Sequence, residues 1–498
     1  MKIKIKIDKE IILAENGQKI GELLNMDFPC GGHGKCGKCK VKIKSPRLPH
    51  SSRELQLLST EEIKRGVHLA CITPVQEGME IETLSQDKGA KNKIISDGFM
   101  PEFEQKPAFD KFGVSVDIGT TTIAARLYDT NGNIMANQTM LNPQSTWGAD
   151  VISRIEASVT QGGKKLAASV QGAIDSLICE MCKTSHIECR DVQQVVITGN
   201  TVMLSLLTAT SVEPLSKAPF LCERLFGETI FAKDIGLASL CDKTPVYLPG
   251  CVAAFIGADV VSALLASDIC NKERTQLLVD IGTNGEMALW HKQKLYFCST
   301  AAGPAFEGVG ISMGMPGKSG AIDRVEIANN TLVAHTIDNA IPCGICGSGI
   351  VDAVACLLRL GLVDETGYLK DDAIISAPVI ITPNDIRAVQ LSKSAICAGI
   401  YTLINAAGID CEDIENVYIA GGFGSYLNLA NAGEIGLLPK ELVSKTKSIG
   451  NAALSGASMM LLNPGFKTSV THYINNADVL ELSTDSFFME KYIEEMSF

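Results

Sequence analysis

Phe112-Gly-Val-Ser-Val-Asp-Ile-Gly-Thr120 and Gln276-Leu-Leu-Val-Asp-Ile-Gly-Thr283 decide how most of this chain is read. Each is an apolar run that ends in Asp-Ile-Gly-Thr, the pattern of a buried strand entering a tight turn. The same motif met twice, far apart, suggests two related halves around a cleft. Between and after the two copies, the stretches 163–181, 349–360 and 384–407 have helical periodicity. Strands alternating with helices favour an α/β fold with covered sheets.

The residues of these turns have a common chemistry. In Asp117-Ile-Gly-Thr-Thr-Thr122 a carboxylate can hold Mg²⁺ or its waters, and Gly119 lets a phosphate approach the backbone. Thr120, Thr121 and Thr122 add hydroxyl and N–H donors for phosphate oxygens. Asp280-Ile-Gly-Thr-Asn-Gly-Glu286 offers the same set through Asp280, Gly282, Thr283, Asn284 and Glu286. Two such hairpins facing each other would clamp a triphosphate and its metal. Further on, Tyr418-Ile-Ala-Gly-Gly-Phe-Gly-Ser425 places Gly421, Gly422 and Gly424 after an apolar strand, where a backbone can pass close to adenosine.

Any one of these motifs is also readable as a plain strand-ending turn. Their order resembles the actin/hexokinase/Hsp70 superfamily, which runs phosphate loop, connecting helix, second phosphate loop, adenosine loop, second connecting helix. That resemblance covers residues 112–460 and implies a duplicated RNase H-like fold that binds ATP and Mg²⁺. The connecting segments it picks out are Val196-Ile-Thr-Gly-Asn-Thr201 and Ala452-Ala-Leu-Ser-Gly-Ala457. Asp117, Asp280 and Glu286 are the candidate catalytic carboxylates. Glu286 and Glu307 are candidates for orienting the attacking water or a metal-bound water, set against a merely supporting role. Gly317-Lys318-Ser319 mimics a P-loop but lacks its strand and has Ser312 where glycine is required. Gly347-Ser-Gly349 opens an apolar helix and reads equally as a helix start or a phosphate contact.

The second signal is Cys30-Gly-Gly-His-Gly-Lys-Cys36-Gly-Lys-Cys39, with Cys71 downstream in His68-Leu-Ala-Cys71. Two sulfide-bridged irons need four thiolates at close range. A glycine-rich bend supplies three, and a distant element supplies the fourth. The spacing resembles that of plant-type ferredoxins, with one extra residue in the first gap as in adrenal-type ferredoxins. Zinc, which usually takes paired knuckles, and unligated thiols are the alternatives. Four cysteines complete the 2Fe–2S site, which leaves His33 as a solvent-facing loop residue. Lys35 and Lys38 can offset the cluster's negative charge. Around this loop, Ile3, Ile5 and Ile7 alternate with lysines as a strand, and Ile11 to Ala14 reads as a second strand. Asn16-Gly17 reads as a turn, Ile20 to Leu24 as a short helix and Lys40 to Lys44 as another strand. This suits a β-grasp, ferredoxin-like domain over residues 1–85.

Residues 86–110 are rich in Lys, Asp, Glu, Gly and Pro and read as a linker. Residues 111–498 form the ATP-binding unit, its second half beginning near 275. A length of 498 residues suits several domains, and a net charge of −12 argues against nucleic acid. The start of the chain reads as an amphipathic strand and not a signal core. The most apolar region, 246–267, carries Pro249 and Asp259 and does not suit a membrane span. The expected location is the cytoplasm. Seventeen cysteines in such a chain suggest a metal cluster plus reduced thiols, and fit an anaerobic cell. Cys343 with Cys346, and the group Cys179, Cys182 and Cys189, read as structural thiols for want of a full ligand set.

Neither an electron carrier nor an ATPase needs the other, so their fusion suggests that ATP drives or gates an unfavourable electron transfer. The architecture resembles the reductive activators of corrinoid proteins found in acetogenic and methylotrophic anaerobes. Besides the motifs above, Ala302-Gly-Pro-Ala-Phe-Glu-Gly308 and Ala420-Gly-Gly-Phe-Gly424 carry this resemblance. It implies reduction of Co(II) corrinoid to Co(I) on a partner of a methyltransferase or acetyl-CoA pathway system. It also implies a low-potential electron donor, a homodimer and an ATP-dependent complex. An extra domain that some relatives carry between cluster and ATPase is expected to be missing or very short. The rivals are a small-molecule kinase with a regulatory cluster and an activator of a 2-hydroxyacyl-CoA dehydratase. The kinase lacks a sugar-binding signature here; the dehydratase activators carry a 4Fe–4S cluster shared across a dimer. An actin-like scaffold would leave the cluster unexplained.

Overall fold

The computed structural model describes residues 2–8, 10–24, 32, 34, 37–84 and 98–498. The small unit is a five-stranded sheet of β1 (Lys2–Ile7), β2 (Glu10–Glu15), β3 (Lys40–Ser45), β4 (Val67–Leu69) and β5 (Glu80–Thr83), in the order β2-β1-β5-β3-β4. Alternation of isoleucine and lysine in β1 puts Ile3, Ile5 and Ile7 inside and the lysines in water. The expected strands are present, and the short helix expected over Ile20 to Leu24 is a single 3-10 turn, Ile20–Glu22. Two further short helices, Ser52–Leu57 and Thr60–Lys64, each start with a capping box, Ser51 with Glu54 and Ser59 with Glu62.

Glu54 is the polar centre of this unit. Its carboxylate is buried and accepts from Leu69 N at 2.9 Å, His68 Nδ1 at 3.1 Å and Thr73 Oγ1 at 3.2 Å. Burial alone would raise its pKa; the bonds from His68, Leu69 and Ser51 outweigh burial and lower it to about 2. One carboxylate therefore fixes the segment that ends in Cys71.

The large unit begins ahead of its first strand. The part of the expected 86–110 linker that is described, residues 98–110, is strapped to this unit. Phe99 N donates to Ile449 O at 2.8 Å and Lys106 N to Leu462 O at 2.7 Å. Phe103 packs edge-on against Phe466, and Phe109 is buried. Residues 85–97 lie outside the described residues.

The first half is a six-stranded sheet of β6 (Phe112–Ile118), β7 (Thr122–Asp129), β8 (Ile134–Leu141), β9 (Val192–Gly199), β10 (Glu228–Phe231) and β11 (Pro245–Leu248), ordered β10-β11-β9-β6-β7-β8. The second half opens with β12 (Thr275–Ile281), β13 (Gly285–His291) and β14 (Lys294–Thr300). A side sheet of β15 (Ala321–Ala328), β16 (Thr331–Thr336) and β17 (Gly344–Ile345) and a hairpin of β18 (Ala373–Ser376) and β19 (Val379–Ile381) follow. The chain then returns with β20 (Ile414–Ala420), β21 (Thr446–Gly450) and β22 (Ala477–Leu480) to give β21-β20-β12-β13-β14-β22.

The two sheets are built alike. In each, the first strand pairs antiparallel with the second and parallel with a later strand, β9 for β6 and β20 for β12. Between them the helices Ala258–Ser267 and Ala452–Leu462 cross so closely that a Cβ on Gly456 would lie 1.9 Å from Ser262 O. This crossing corrects one expectation. Residues 452–457 do lie in a connecting helix, but 196–201 form the end of β9 and the first residue of a short buried helix. The partner of the second connecting helix is Ala258–Ser267. No described helix is long and apolar enough to cross a membrane.

Candidate functional site

The two Asp-Ile-Gly-Thr motifs end β6 and β12 and turn into β7 and β13, so both turns open on one cleft between the halves, with a volume of about 350 Å³. Asp117, Gly119, Thr120, Thr121 and Thr122 line one wall, and Asp280, Gly282, Thr283, Asn284 and Glu286 the other. Gly421 and Gly422 close the floor, and Gly421 has φ +88° with no room for a Cβ, which would lie 2.6 Å from Asp280 Oδ1. Gly424 sits elsewhere. It packs behind the wall, where a Cβ would meet Ile419 Cγ2 at 2.4 Å, so its glycine serves packing and not nucleotide contact. Phe423 from the same turn stacks on Phe306, centroids 5.1 Å apart.

The first Asp-Ile-Gly-Thr turn is held from behind. Asn142 Nδ2 donates to Gly119 O at 2.9 Å, Asn142 N donates to Thr121 O at 2.9 Å, and the buried Arg154 guanidinium donates to Thr120 O. In a trans peptide the N–H points away from its carbonyl. Pinning three successive carbonyls therefore directs the N–H groups of Thr120, Thr121 and Thr122 to the opposite side, where these residues line the cleft. Burial lowers the Arg154 pKa to about 10, which leaves it charged at neutral pH. The sequence reading passed over both Asn142 and Arg154.

A carboxylate cluster faces these turns. Asp280 and Glu286 are directly opposite across the β12–β13 pair. Asn451 Nδ2 donates to Asp117 Oδ2 at 2.9 Å while its Oδ1 caps the helix behind it, tying the second half to the first. Asp259, at the start of the helix Ala258–Ser267, joins the group and was missed. Its signal was an acid two residues after Gly257 at the head of an apolar run. Burial pushes Asp117 up to about 7, with the charge of Asp259 adding to the effect. Burial and the charges of Asp259 and Asp117 push Asp280 to about 7, and burial takes Asp259 to about 6. Burial, then Asp259 and Asp280, raise Glu286 well above the carboxylate range. Such crowding of acids calls for a cation. No three His, Cys, Asp or Glu among the described residues converge to hold a bare metal ion.

Glu307 spans the cleft. Thr121 Oγ1 donates to one of its oxygens at 2.8 Å and Thr283 Oγ1 to the other at 2.7 Å. Gly347 and Ser348 line the cleft, and Gly347 is required by packing, since a Cβ would meet Phe306 O at 1.9 Å. Lys318 lies in a loop ahead of β15, away from any strand-to-helix turn, as expected of a false P-loop.

Of the cluster cysteines, Cys39 and Cys71 are buried, and Cys30 and Cys36 lie outside the described residues, as do His33 and Lys35. Ala70 N donates to Cys39 O at 2.8 Å, so the two described cysteines are on paired strands' ends. Gly32, Gly34 and Gly37 all have positive φ, and a Cβ on Gly32 would come within 3.8 Å of the Cys71 Cβ. A bend that folds over a buried thiol from a separate element fits a cluster held by three cysteines from the loop and one from afar. Cys343 is exposed, contrary to the structural thiol expected there, while Cys346 is buried against Ile322 O and Cys179 and Cys189 touch at 3.6 Å.

Comparison with known proteins agrees with this architecture. A model of the 2Fe-2S iron-sulfur cluster binding domain matches residues 5–76, one of the RACo middle region matches 112–272, and one of the C-terminal domain of RACo, the ASKHA domain, matches 274–498. The chain is 36% identical over 450 residues to the corrinoid activation enzyme RamQ of Eubacterium limosum, covering 82% of this chain and 73% of that protein. It is 28% identical over 422 residues to the [Co(II) methylated amine-specific corrinoid protein] reductase of Methanosarcina barkeri, covering 78% and 77%. The solved structure of a reductive activator for corrinoid, iron-sulfur protein superposes with a TM-score of 0.72 at 28% identity, over 100% of this chain and 98% of that one. A cysteine loop that fits one cluster, two mirrored Asp-Ile-Gly-Thr turns in one cleft and a relative matched over most of both lengths together show that this chain belongs to the family of reductive activators of corrinoid proteins.

Proposed function

We propose that this chain is an ATP-dependent reductive activase that returns inactive Co(II) corrinoid on a partner protein to the Co(I) nucleophile. The observation that carries the reading is the meeting of both Asp-Ile-Gly-Thr turns in one cleft, on a chain whose first domain carries the cluster cysteines. Cys30, Cys36, Cys39 and Cys71 would hold a 2Fe–2S cluster, which would supply a single low-potential electron.

The cleft does the rest. The N–H groups of Thr120, Thr121 and Thr122, with Gly282, Thr283 and Asn284 opposite, bind the phosphates. Asp117 and Asp280 would hold Mg²⁺ through its waters, and Gly421 and Gly422 would give the adenosine side room to approach. Asp259 and Glu286 would orient the attacking water. Closing the cleft on MgATP brings the two halves together, and their differential contact with the partner supplies the coupling. A low-potential donor, a homodimer and a cytoplasmic site of action complete the reading.

The test is anaerobic visible spectroscopy of a Co(II) corrinoid protein mixed with this protein and a strong reductant. The Co(I) band is expected only with MgATP. Its absence with several corrinoid partners, alongside a reducible cluster and real ATPase activity, would shift the assignment to an activator of another low-potential enzyme.

A further inference from the structure

Among the described residues, a short loop joins the nucleotide cleft to the cluster domain. Glu307 ends the turn Pro304–Glu307, and its two oxygens take the hydroxyl protons of Thr121 and Thr283, one from each half. The chain leaves Glu307 through Gly308, at φ +78°, and crosses itself: a Cβ on Gly308 would lie 2.5 Å from Met315 N, and one on Gly314 2.2 Å from Gly308 O. Backbone packed on backbone makes residues 308–315 stiff. Ser312 N and Oγ both bond Asp385 Oδ1, at 2.7 and 3.0 Å, which fixes the outer end of the loop to the start of the long helix Pro383–Ala407.

At that outer end sits a residue of the cluster domain. The Lys38 ammonium donates to Ile311 O at 3.3 Å, Ser312 O at 3.2 Å and Gly314 O at 3.3 Å. Its neighbour in the chain is Cys39. Three carbonyls around one ammonium form a specific seat, because the cation's charge is met by oriented dipoles at a protein surface. A threonine proton given to a phosphate oxygen is lost to Glu307, so phosphate at the turns and the Glu307 clasp draw on the same donors.

We propose that Glu307 and loop 308–315 form a relay that reports nucleotide at the two phosphate turns to the cluster domain, by changing the seat of Lys38. The proposal rests on the cleft binding MgATP. It adds what that reading leaves open, namely which residues let ATP act on the domain that carries the electron. Coupling of this kind needs a physical element biased by both sites, and here each end of that element is a named contact.

Acylation of lysines by an N-hydroxysuccinimide ester, quantified by peptide mass spectrometry on the full anaerobic holoprotein, reads the seat directly. MgATP is expected to change the labelling rate of Lys38 by about five-fold or more and leave the exposed Lys2 unchanged. In Glu307→Ala, with MgATP binding measured separately, the Lys38 response is lost. Glu307→Gln keeps the volume and one acceptor and decides the matter where Glu307→Ala fails to fold; it gives a reduced response. A full Lys38 response in either folded, MgATP-binding variant overturns the relay. So does a wild-type protein that binds MgATP with no change at Lys38. Loss of MgATP binding in Glu307→Gln would assign Glu307 to nucleotide binding itself and likewise overturn it. A wild-type protein that binds no MgATP would instead remove the proposed function.

Discussion

Glu54 in the small unit and Asp280 in the cleft are both carboxylates withdrawn from water, and they are treated in opposite ways. Glu54 is met by a ring of donors that lower its pKa to about 2. Asp280 faces Glu286 across a strand pair, with Asp117 and Asp259 nearby, and burial with those charges raises it to about 7. The first is a finished structural element; the second is a site held short of a partner. An acid that the protein satisfies by itself supports the fold, and acids left to repel one another mark a functional site.

That contrast can be broken in several ways. The largest effect is expected from Asp280→Ala, which should cut ATP-dependent Co(I) formation by about 100-fold or more while leaving the visible spectrum of the cluster intact. Retained activation in a folded variant would remove the cleft from the mechanism. Next comes Glu54→Ala. It strands the Leu69 N–H and His68 in the core, while Thr73 Oγ1 keeps Leu69 O as acceptor at 2.9 Å, and should cost about 2–4 kcal/mol, read by denaturant unfolding and by faster bleaching of the cluster. A neutral result would mean the ring of bonds contributes nothing.

Asp280→Asn reverses the sign. Removing one charge from the crowded cleft should stabilise the metal- and nucleotide-free protein by about 1–2 kcal/mol, discounted for water reaching the cleft, even as function is lost. Thermal unfolding without Mg²⁺ checks this, and a lower midpoint would show that Asp280 is satisfied within the fold. The smallest effect is graded with pH. Asp117 and Asp280 titrate higher in the fold than unfolded, so their protonated forms favour folding. Stability is lost as pH rises from about 4 to about 7, and MgATP affinity rises over the range up to about 8 as both ionise. Glu54 does the opposite, since its depressed pKa gives stability that is lost as pH falls from about 4.5 to about 2. Titrating the two units by separate probes should show opposed slopes.

Both turns of the cleft were readable because phosphate chemistry restricts residue type at fixed spacing: Asp, Gly and Thr after an apolar strand leave few alternatives. The cluster loop was readable for the same reason. Asp259 was not, because it sits in the most apolar region of the chain, where hydropathy dominates and one acid looks incidental. Asn142 and Arg154 act through carbonyls of distant residues, and nothing in their own neighbourhood encodes that partner. The strap 98–110 passed for linker because charge and proline outnumber its aromatics, yet Phe99, Phe103 and Phe109 attach it. Gly424 shows the reverse error, a glycine in a good motif used for packing. The two short helices of the small unit did announce themselves in Ser51–Glu54 and Ser59–Glu62, a capping signal that is easily lost beside a cysteine motif.

The strap has a kinetic meaning. Because residues 98–110 are bound to the seam beside the connecting helix Ala452–Leu462, the small unit is tethered from Gly98 and not from the first strand. The thirteen residues between Leu84 and Gly98 limit the separation of those two residues to roughly 50 Å. Within that radius one cluster domain is present at an effective concentration on the order of millimolar, whatever the dilution of the protein. Electron delivery to a captured partner is then first order and insensitive to protein concentration, whereas the same domain supplied as a separate chain would have to be added at millimolar levels to match it.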